Sequence, residues 1–489
     1  MKTISKILAL AGLISFASCN NDDNNGTTTT PDGNSSVIDL KNHSMTPAFV
    51  TKQAEFNDIE VYSILSSEDI LSESPNFVYG SMADGCGLLR NEDGTFTLIN
   101  NIEADYSIAR ITLDATFKPI KGEYIVNSDA TGNTAQCSGS LATPEEHGYG
   151  PVYLSGGEWG AMPTNNVFMV DPYKSASEAS VAEVLPAMGQ WTIENAVPLG
   201  KDAFPGKTIV MIGDDSRGDA GGQLAMYVSN TVGDLHGGNL YGLRVGDGTI
   251  TDNDLVIGDE YDIEFVHLDQ TTYNELNTES MSKGIMAFNR VEDIDYRKGS
   301  AAANREIYFN ATGHSSNSDT RTKYGRVYKL VLDENNPLTG KLTLVLNGDD
   351  LTGKAKTFHS PDNILVTENY AYIQEDPNGY VDDMVKQHDA YLYQYDLNTG
   401  TLKVVLESAH RTVEAVDNGY ASFDDRWGKW ELTGMIDISD IIGEPDTFLL
   451  IQQAHSWYSD VFLNPDGAGT DANSRNEGSI LLVVKGLAR

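Results

Sequence analysis

Short runs of alternating apolar and polar residues, rich in Val, Ile, Tyr and Thr, recur along almost the whole chain. Turns rich in Gly, Asn and Asp separate these runs, and long stretches with helical periodicity are nearly absent. A period of two residues between turn signals is typical of half-buried β-strands. The pattern therefore predicts an all-β protein built from many short strands.

Two hairpin-like segments are near copies of each other. They cover residues 325–346 and 390–406, start 65 residues apart, and each contains a Thr-Gly pair. Looser copies occur at residues 106–114 and 238–245. Recurrence of this kind favours a β-propeller with four-stranded antiparallel blades, and six such blades would use the available length.

Four apolar segments end in acidic residues, namely residues 96–103, 153–158, 208–215 and 371–376. In a chain with 71 acidic residues, solvent-facing loops produce such a pattern by chance. A pair of β-sandwiches or a β-helix would spread these residues over a long surface. A propeller would instead bring equivalent strand ends to one central channel, so the propeller prediction includes a central acidic site.

The N-terminal residues have the features of an export signal. Two lysines precede the apolar residues 7–14, and Ala17 and Ser18 lead to Cys19. The apolar run is too short to remain as a membrane span. The segment resembles a bacterial lipoprotein signal, in which Cys19 becomes the lipidated first residue.

Residues 1–18 are therefore predicted to be a signal peptide, residues 19–36 a flexible acidic and Thr-rich tether, and residues 37–489 the propeller domain. The acidic residues after Cys19 resemble the surface-export signal of bacterial lipoproteins. We expect a lipid anchor in the outer membrane, with the domain facing the cell surface or the periplasm.

The net charge of −38 excludes nucleic acid as a partner, because phosphate backbones would be repelled. Carboxylates that are held together need compensation, since two like charges about 4 Å apart cost roughly 4 kcal/mol at an effective dielectric near 20. Bound cations would provide it.

Beyond Cys19 the chain contains only Cys86 and Cys137. In an oxidising compartment a disulfide between them is one interpretation. The other is that Cys137 is a metal-bound thiolate.

Several short motifs occur in the order seen in PhoX-type alkaline phosphatases and related lipoprotein propellers, over roughly residues 75–460. These motifs are Asp84-Gly85, Asn101-Ile102-Glu103, Cys137-Ser138-Gly139, Glu158, residues 194–197, Asp214-Asp215, Arg290-Val291-Glu292, residues 360–363 and residues 374–376. The resemblance implies a propeller enzyme that hydrolyses phosphate monoesters. Its central channel would hold an iron pair and several calcium ions.

The same resemblance implies a set of metal ligands. Cys137 would bind iron, because thiolates suit iron whereas carboxylates suit calcium. The predicted oxygen ligands, or the residues that complete the calcium sites, are Glu103, Glu158, Glu194, Glu292, Glu375, Asp214, Asp215 and Asp362. No catalytic residue is assigned beyond this metal centre.

The sequence also departs from the family pattern. Where the family has Asn-His-Glu, this chain has Ile102 in place of the histidine, and residues 155–158 keep one acid where a Cys-Glu-Glu run is usual. The intervening region is longer here, which leaves the alignment among Glu145, Glu146 and Glu158 open.

Two functions remain open from the sequence. The first is a lipid-anchored phosphomonoesterase dependent on calcium and iron. The second is a non-catalytic surface propeller that binds a ligand or an outer-membrane transporter. A serine hydrolase is excluded because no Gly-x-Ser-x-Gly motif surrounds Ser138. Among the histidines, His314 and His359 are the better candidates for substrate contact.

Overall fold

The computed structural model describes residues 37–160, 165–377, 386–468 and 475–489. The predicted signal peptide, the tether and Cys19 lie outside these residues. Residues 37–489 form a compact unit by themselves. Within the described part of the chain, no helix is both long enough and apolar enough to cross a membrane.

The first half of the domain contains fifteen strands. They are β1 (Val50–Lys52), β2 (Glu60–Ser66), β3 (Ala83–Arg90), β4 (Phe96–Ile102), β5 (Ser107–Leu113), β6 (Pro119–Val126), β7 (Thr134–Ala142), β8 (Val152–Gly160), β9 (Val167–Val170), β10 (Glu183–Val184), β11 (Ile193–Pro198), β12 (Thr208–Asp214), β13 (Leu224–Ser229), β14 (Asn239–Val245) and β15 (Glu260–Leu268).

Eleven more strands and five α-helices follow, and the described part of the chain also contains several short 3-10 helices. The strands are β16 (Val291–Tyr296), β17 (Glu306–Ala311), β18 (Arg326–Leu332), β19 (Thr339–Asn347), β20 (Pro361–Val366), β21 (Tyr370–Glu375), β22 (Tyr391–Asp396), β23 (Leu402–Ser408), β24 (Glu431–Asp437), β25 (Thr447–Tyr458) and β26 (Glu477–Lys485). The helices are α1 (Ser128–Thr131), α2 (Pro144–His147), α3 (Tyr273–Lys283), α4 (Val413–Asp417) and α5 (Ser439–Ile442).

The strands form antiparallel sheets that contain six groups of four strands. Groups 1 and 2 are β3–β6 and β7–β10, groups 3 and 4 are β11–β14 and β16–β19, and groups 5 and 6 are β20–β23 and β24–β26 with β2. Groups 3 and 4 are joined through β15, which pairs with both β14 and β19. Strands β11 to β19 therefore form one nine-stranded sheet. Dividing this sheet at β15 gives groups 3 and 4 and brings the number of groups to six.

The first strands of the groups form a closed ring. Each of β3, β7, β11, β16, β20 and β24 contacts the first strand of the next group, and β24 returns to β3. The N-terminal part of the chain completes the last two groups, because β1 pairs with β23 and β2 pairs with β26. The prediction of an all-β propeller is confirmed.

A separate apolar core fills each junction between neighbouring groups. Leu88 and Leu98 of group 1, for example, pack with Leu449 and Leu481 of group 6. Five further clusters occupy the other junctions around the ring. Because burial of apolar surface is the main favourable term in folding, these six cores hold the groups together.

Neighbouring groups approach most closely at glycines. A Cβ added to Gly85 in β3 would lie 2.2 Å from the backbone nitrogen of Gly139 in β7, and one added to Gly156 would lie 2.4 Å from the carbonyl oxygen of Ile193. No side chain fits such a distance, so glycine at these positions lets the backbones of adjacent groups meet.

Gly85→Ala should therefore destabilise the propeller, because the added methyl group must push β3 away from β7. Overpacking of this kind costs about 1–3 kcal/mol. Thermal unfolding monitored by circular dichroism should show a lower Tm. The matched control is Gly218→Ala, where the nearest atom to an added Cβ lies 3.5 Å away. Equal Tm values for the two variants would contradict the close-packing argument.

Candidate metal and phosphate site

Each of the six first strands contains an irregularity in its pairing with the second strand. At these points three residues of the first strand advance against two of its partner, which is the register of a β-bulge. The residue pairs within the bulges are Asp84-Gly85, Cys137-Ser138, Glu194-Asn195, Glu292-Asp293, Asp362-Asn363 and Gly434-Met435. Bulges redirect side chains and are common beside active sites.

A central cavity of about 190 Å³ collects side chains from all six groups. Its lining consists of Met82, Asp84, Glu103, Cys137, Glu158, Trp159, Glu194, Arg290, Glu292, Asp362, Asp376, Glu431, His455 and Arg475. Five of the six bulges place their first residue in this lining. In group 6 the bulge holds Gly434, and Glu431 supplies the carboxylate.

The second strands supply the other acidic side chains. Glu103 follows β4, Glu158 lies near the end of β8, and Asp376 follows β21. These residues belong to the apolar segments that end in acids in the sequence. Asp215, after β12, does not line the cavity but forms an ion pair with Arg290. The convergence expected for a propeller is therefore observed for these strand ends.

Cys137 lies at the centre of two groups of ligand atoms. Atoms of Asp84, Glu103 and Cys137 lie within 4.8 Å of one another, and so do atoms of Cys137, Glu158 and Glu194. The Cys137 sulfur is 2.7 Å from Glu158 Oε2. One thiol among several carboxylates is a donor set that suits metal ions of both soft and hard character.

Burial and crowding change the acidity of these groups. Burial raises the pKa of Glu194, and the charges of Glu158 and Glu292 raise it further. The pKa values of Asp84 and of the Cys137 thiol are raised in the same way, first by burial and then by nearby carboxylates. Without a cation, the cavity therefore favours protonated side chains.

Arg290 provides a fixed positive charge in the cavity wall. Its Nε lies 2.8 Å from Asp215 Oδ1, and its Nη2 lies 2.5 Å from Glu292 Oε1. Burial alone would lower the pKa of Arg290, but attraction to Asp215 and Glu292 raises it well above its usual value. The guanidinium is therefore a permanent cation held in a defined orientation.

Neutral donors hold the candidate ligands in place. Glu194 Oε1 accepts hydrogen bonds from the backbone nitrogen of Ser138 at 3.0 Å and from its hydroxyl at 2.9 Å. Glu103 accepts from Trp159 Nε1 at 2.8 Å and from Gln453 Nε2 at 3.0 Å. Such supporting bonds orient metal ligands.

The structure brings together six of the nine residues in the predicted metal set. Cys137, Glu103, Glu158, Glu194, Glu292 and Asp362 all line the cavity. Glu375 does not. Its carboxylate accepts hydrogen bonds from the backbone nitrogens of His359 and Tyr391, at 2.8 and 3.0 Å. Burial raises the pKa of Glu375 to about 7, and the next residue, Asp376, lines the cavity instead.

Asp214 is likewise absent from the lining, and its carboxylate accepts a hydrogen bond from the backbone nitrogen of Thr192 at 3.0 Å. The two favoured histidines, His314 and His359, also lie outside it. His455 lines the cavity instead, with Nδ1 2.9 Å from Glu477 Oε2.

Sequence reasoning left eight lining residues out of the ligand and substrate set: Met82, Asp84, Trp159, Arg290, Asp376, Glu431, His455 and Arg475. The residue pairs at the bulges show a sequence pattern from which some of these residues could have been predicted. In five groups an acidic residue or cysteine precedes a small or polar residue near the start of the first strand, as in Asp84-Gly85. Arg475 belongs to no such pattern.

The departures from the family pattern have a simple structural basis. Ile102 is fully buried in the apolar core between groups 1 and 6, so its side chain does not reach the cavity. A Cβ added to Gly156 would meet the backbone of Ile193, and one added to Gly157 would lie 2.9 Å from the hydroxyl oxygen of Thr134, so both positions are too crowded for a larger side chain. Glu145 and Glu146 lie on α2 outside the lining, which leaves Glu158 as the cavity residue.

Cys86 and Cys137 are both buried and free. The sulfur of Cys86 lies 3.4 Å from the carbonyl oxygen of Gly434, whereas that of Cys137 faces Glu158. The disulfide interpretation is therefore wrong.

Comparison with solved structures supports the fold. PhoX of Pseudomonas fluorescens, in complex with the transition-state analogue vanadate, superposes with a TM-score of 0.61 at 14% identity, over 90% of this chain and 96% of that one. The PQQ-bound aldose sugar dehydrogenase of Streptomyces coelicolor reaches a TM-score of only 0.37 at 10% identity, over 89% of this chain and all of that one. No curated protein sequence matches significantly.

A family model described as alkaline phosphatase PhoX matches residues 161–425. This match spans more than half of the chain and includes β11, β16 and β20, which carry three of the bulges at the cavity. It supports a phosphatase-like function and, together with the PhoX structure, confirms the PhoX-type resemblance over this segment. The chain belongs to the PhoX alkaline phosphatase family.

Proposed function

We propose that the protein hydrolyses phosphate monoesters in the central cavity, with the help of metal ions held by Cys137 and the surrounding carboxylates. The observation that carries this proposal is the meeting of one thiol, eight carboxylates and Arg290 in one cavity built from all six groups. Such a cavity would repel a phosphate unless cations compensated the acids.

The side chains present fit metal ions. Cys137 would bind iron, and the carboxylates of Asp84, Glu103, Glu158 and Glu194 lie near enough to share ions with it. Glu292, Asp362, Asp376 and Glu431 would hold calcium, which prefers oxygen ligands. When bound, such ions neutralise phosphate charge and lower the pKa of bound water from about 15.7 towards roughly 7.

Arg290 would bind the phosphoryl group. Its planar guanidinium matches the spacing of two phosphate oxygens, and such paired hydrogen bonds strengthen as charge develops on those oxygens. Asp215 pairs with Nε and Glu292 with Nη2, and these two contacts set the direction of the guanidinium. The substrate phosphate would then meet a donor that needs no rearrangement.

The alternative of a non-catalytic binding propeller rests mainly on the missing family histidine. Ile102 packs in an apolar core and is not a lining residue, whereas the family match and the acidic cavity both favour a phosphatase. The phosphatase is therefore the better proposal. For the anchor, we propose lipidation at Cys19 and attachment to the outer membrane, on the basis of the signal sequence alone.

Cys137→Ala should abolish iron retention, because it removes the thiolate shared by both clusters of ligand atoms. Plasma mass spectrometry of the purified domain should show loss of iron with unchanged circular dichroism. Cys86→Ala is the matched control, since Cys86 is also buried and free but does not line the cavity. Iron content that is the same in both variants would refute the assignment.

Arg290→Gln should lower kcat for p-nitrophenyl phosphate by roughly 10²–10³-fold, the usual cost of losing a donor that stabilises transition-state charge. Arg290→Lys keeps the charge but not the fork, so it should retain part of the activity. Steady-state kinetics at matched metal content would test this. Full activity of Arg290→Gln would show that the phosphate binds elsewhere.

Removal of metal should make stability depend on pH. The pKa values of Asp84, Glu158 and Glu194 are raised from ordinary values of 3.8 for Asp and 4.5 for Glu. Their stabilising contribution is therefore full below about pH 4 and is lost as pH rises through the raised values. The Tm of EDTA-treated protein should fall between pH 4 and 8.

The metal-loaded protein should lose less stability over the same range, because bound cations replace the protons that the carboxylates otherwise keep. Parallel thermal scans with and without EDTA provide the comparison. Identical pH dependence in the two states would argue against metal in this cavity.

A further inference from the structure

The strands of group 6 supply cavity side chains of a different kind. The bulge in the first strand of this group begins with Gly434, which brings no side chain, and the strands instead contribute Glu431 at the start of β24 and His455 in β25. His455 is the only histidine among the described residues of the lining. This part of the cavity therefore adds an imidazole to the thiol and the carboxylates.

A second bulge, in β25, removes His455 from the regular strand pairing. Between the pairs Ala454–Gly478 and Tyr458–Glu477, β25 advances four residues, from 454 to 458, while β26 advances one, from 478 to 477. Because the extra residues have no partner position on β26, their side chains are free of the normal alternation between faces. His455 is the first of these residues, and its side chain reaches the cavity.

A carboxylate fixes the imidazole on the side away from the cavity. His455 Nδ1 lies 2.9 Å from Glu477 Oε2, and Glu477 is not a lining residue. The two side chains are buried, with 3% and 7% of their residues' surface exposed. Since a carboxylate accepts this hydrogen bond, Nδ1 carries the proton, and in the neutral ring Nε2 presents its lone pair.

His455 Nε2 faces a second carboxylate, which does line the cavity. It lies 3.5 Å from Glu431 Oε2. Ordinary N–H···O hydrogen bonds are about 2.7–3.2 Å long, so this separation is too large for a good one. Two ligand atoms about 2.0–2.2 Å from one tetrahedral metal ion are instead roughly 3.3–3.6 Å apart. The separation therefore fits a metal ion shared by the two side chains.

The contacts of the imidazole indicate which ions would fit. Histidine ligands commonly donate their second ring nitrogen to a carboxylate, which is the role that Glu477 has towards His455. Imidazole nitrogen suits transition ions such as zinc, whereas calcium takes oxygen ligands. Glu431 by itself would suit calcium, but with an imidazole on the same ion a transition metal is preferred.

We propose that His455 and Glu431 bind a divalent transition ion such as zinc, with Glu477 orienting the imidazole. This inference rests on the proposed metal-dependent function and refines its metal set, because the ion at Glu431 gains a nitrogen ligand while the other acids proposed for calcium keep that assignment. In the contrasting interpretation, His455 is a protonated imidazole that only bridges two carboxylates and binds no metal.

Zinc binding to the Cys137→Ala protein tests the proposal, because this parent variant lacks the competing thiolate. Apo protein is dialysed against increasing Zn²⁺ in excess Ca²⁺, which occupies the all-oxygen sites, and bound zinc is measured by plasma mass spectrometry. His455→Gln in this parent should raise the Kd for zinc more than about tenfold, since loss of a group that merely supports a ligand already costs about 10–100-fold. Glu477→Gln should raise it by about that smaller amount.

His147→Gln in the same parent is the matched control. His147 is also buried and follows an acidic residue, Glu146, but it does not line the cavity. Its substitution should leave the Kd for zinc within about twofold of the parent value. Circular dichroism confirms that each variant is folded. X-ray absorption at the zinc edge of the parent should show scattering from an imidazole ring, and this measurement needs no further variant.

Three results would overturn the site: no zinc bound to the parent, no imidazole scattering in its spectrum, or a Kd in His455→Gln that matches the His147→Gln control. None of these measurements depends on turnover. If the parent binds zinc through His455 while metal-loaded wild type hydrolyses no phosphate monoester, the site stands and the proposed function is refuted. Hydrolysis by wild type together with any of the three results would refute the site and leave the function.

Discussion

Repulsion among buried carboxylates is the constraint on which the centre of this protein depends. Eight of them line a cavity of about 190 Å³ around one thiol, and burial raises the pKa of most of them. Arg290 and a few neutral donors offset only part of this repulsion, and protons or metal ions must compensate the rest. The favourable energy must therefore come from the apolar cores at the six junctions between groups, which lie away from the cavity.

The geometry of the backbone fixes the positions of the candidate ligands. A bulge in each first strand redirects one residue, and in five groups that residue is an acid or Cys137. Glycines such as Gly85 let neighbouring strands approach until their backbones nearly touch. Because the ring is closed by β2 and β26, these positions are held from both ends of the chain.

Arg290 and Arg475 are the Lys or Arg side chains among the described residues that line the cavity. Arg290 is fixed by Asp215 and Glu292, and this is the orientation in which the proposed reaction would use it against the phosphoryl group. The departures of this chain from the PhoX pattern lie elsewhere. Ile102 packs in an apolar core and Gly156 and Gly157 pack closely against neighbouring strands, and none of the three lines the cavity.

The sequence by itself determined the fold class and the strands that carry acids, because alternation, turn residues and apolar runs are local signals. It also singled out Cys137, Glu158, Glu194 and Glu292, which line the cavity, because they belong to motifs in the PhoX order. It could not distinguish Glu375 from Asp376, since one residue of register or one bulge moves a side chain to the opposite face of a strand. Only the closed ring decided that choice and brought Glu431, His455 and Arg475 to the same cavity, because their proximity depends on contacts between segments hundreds of residues apart.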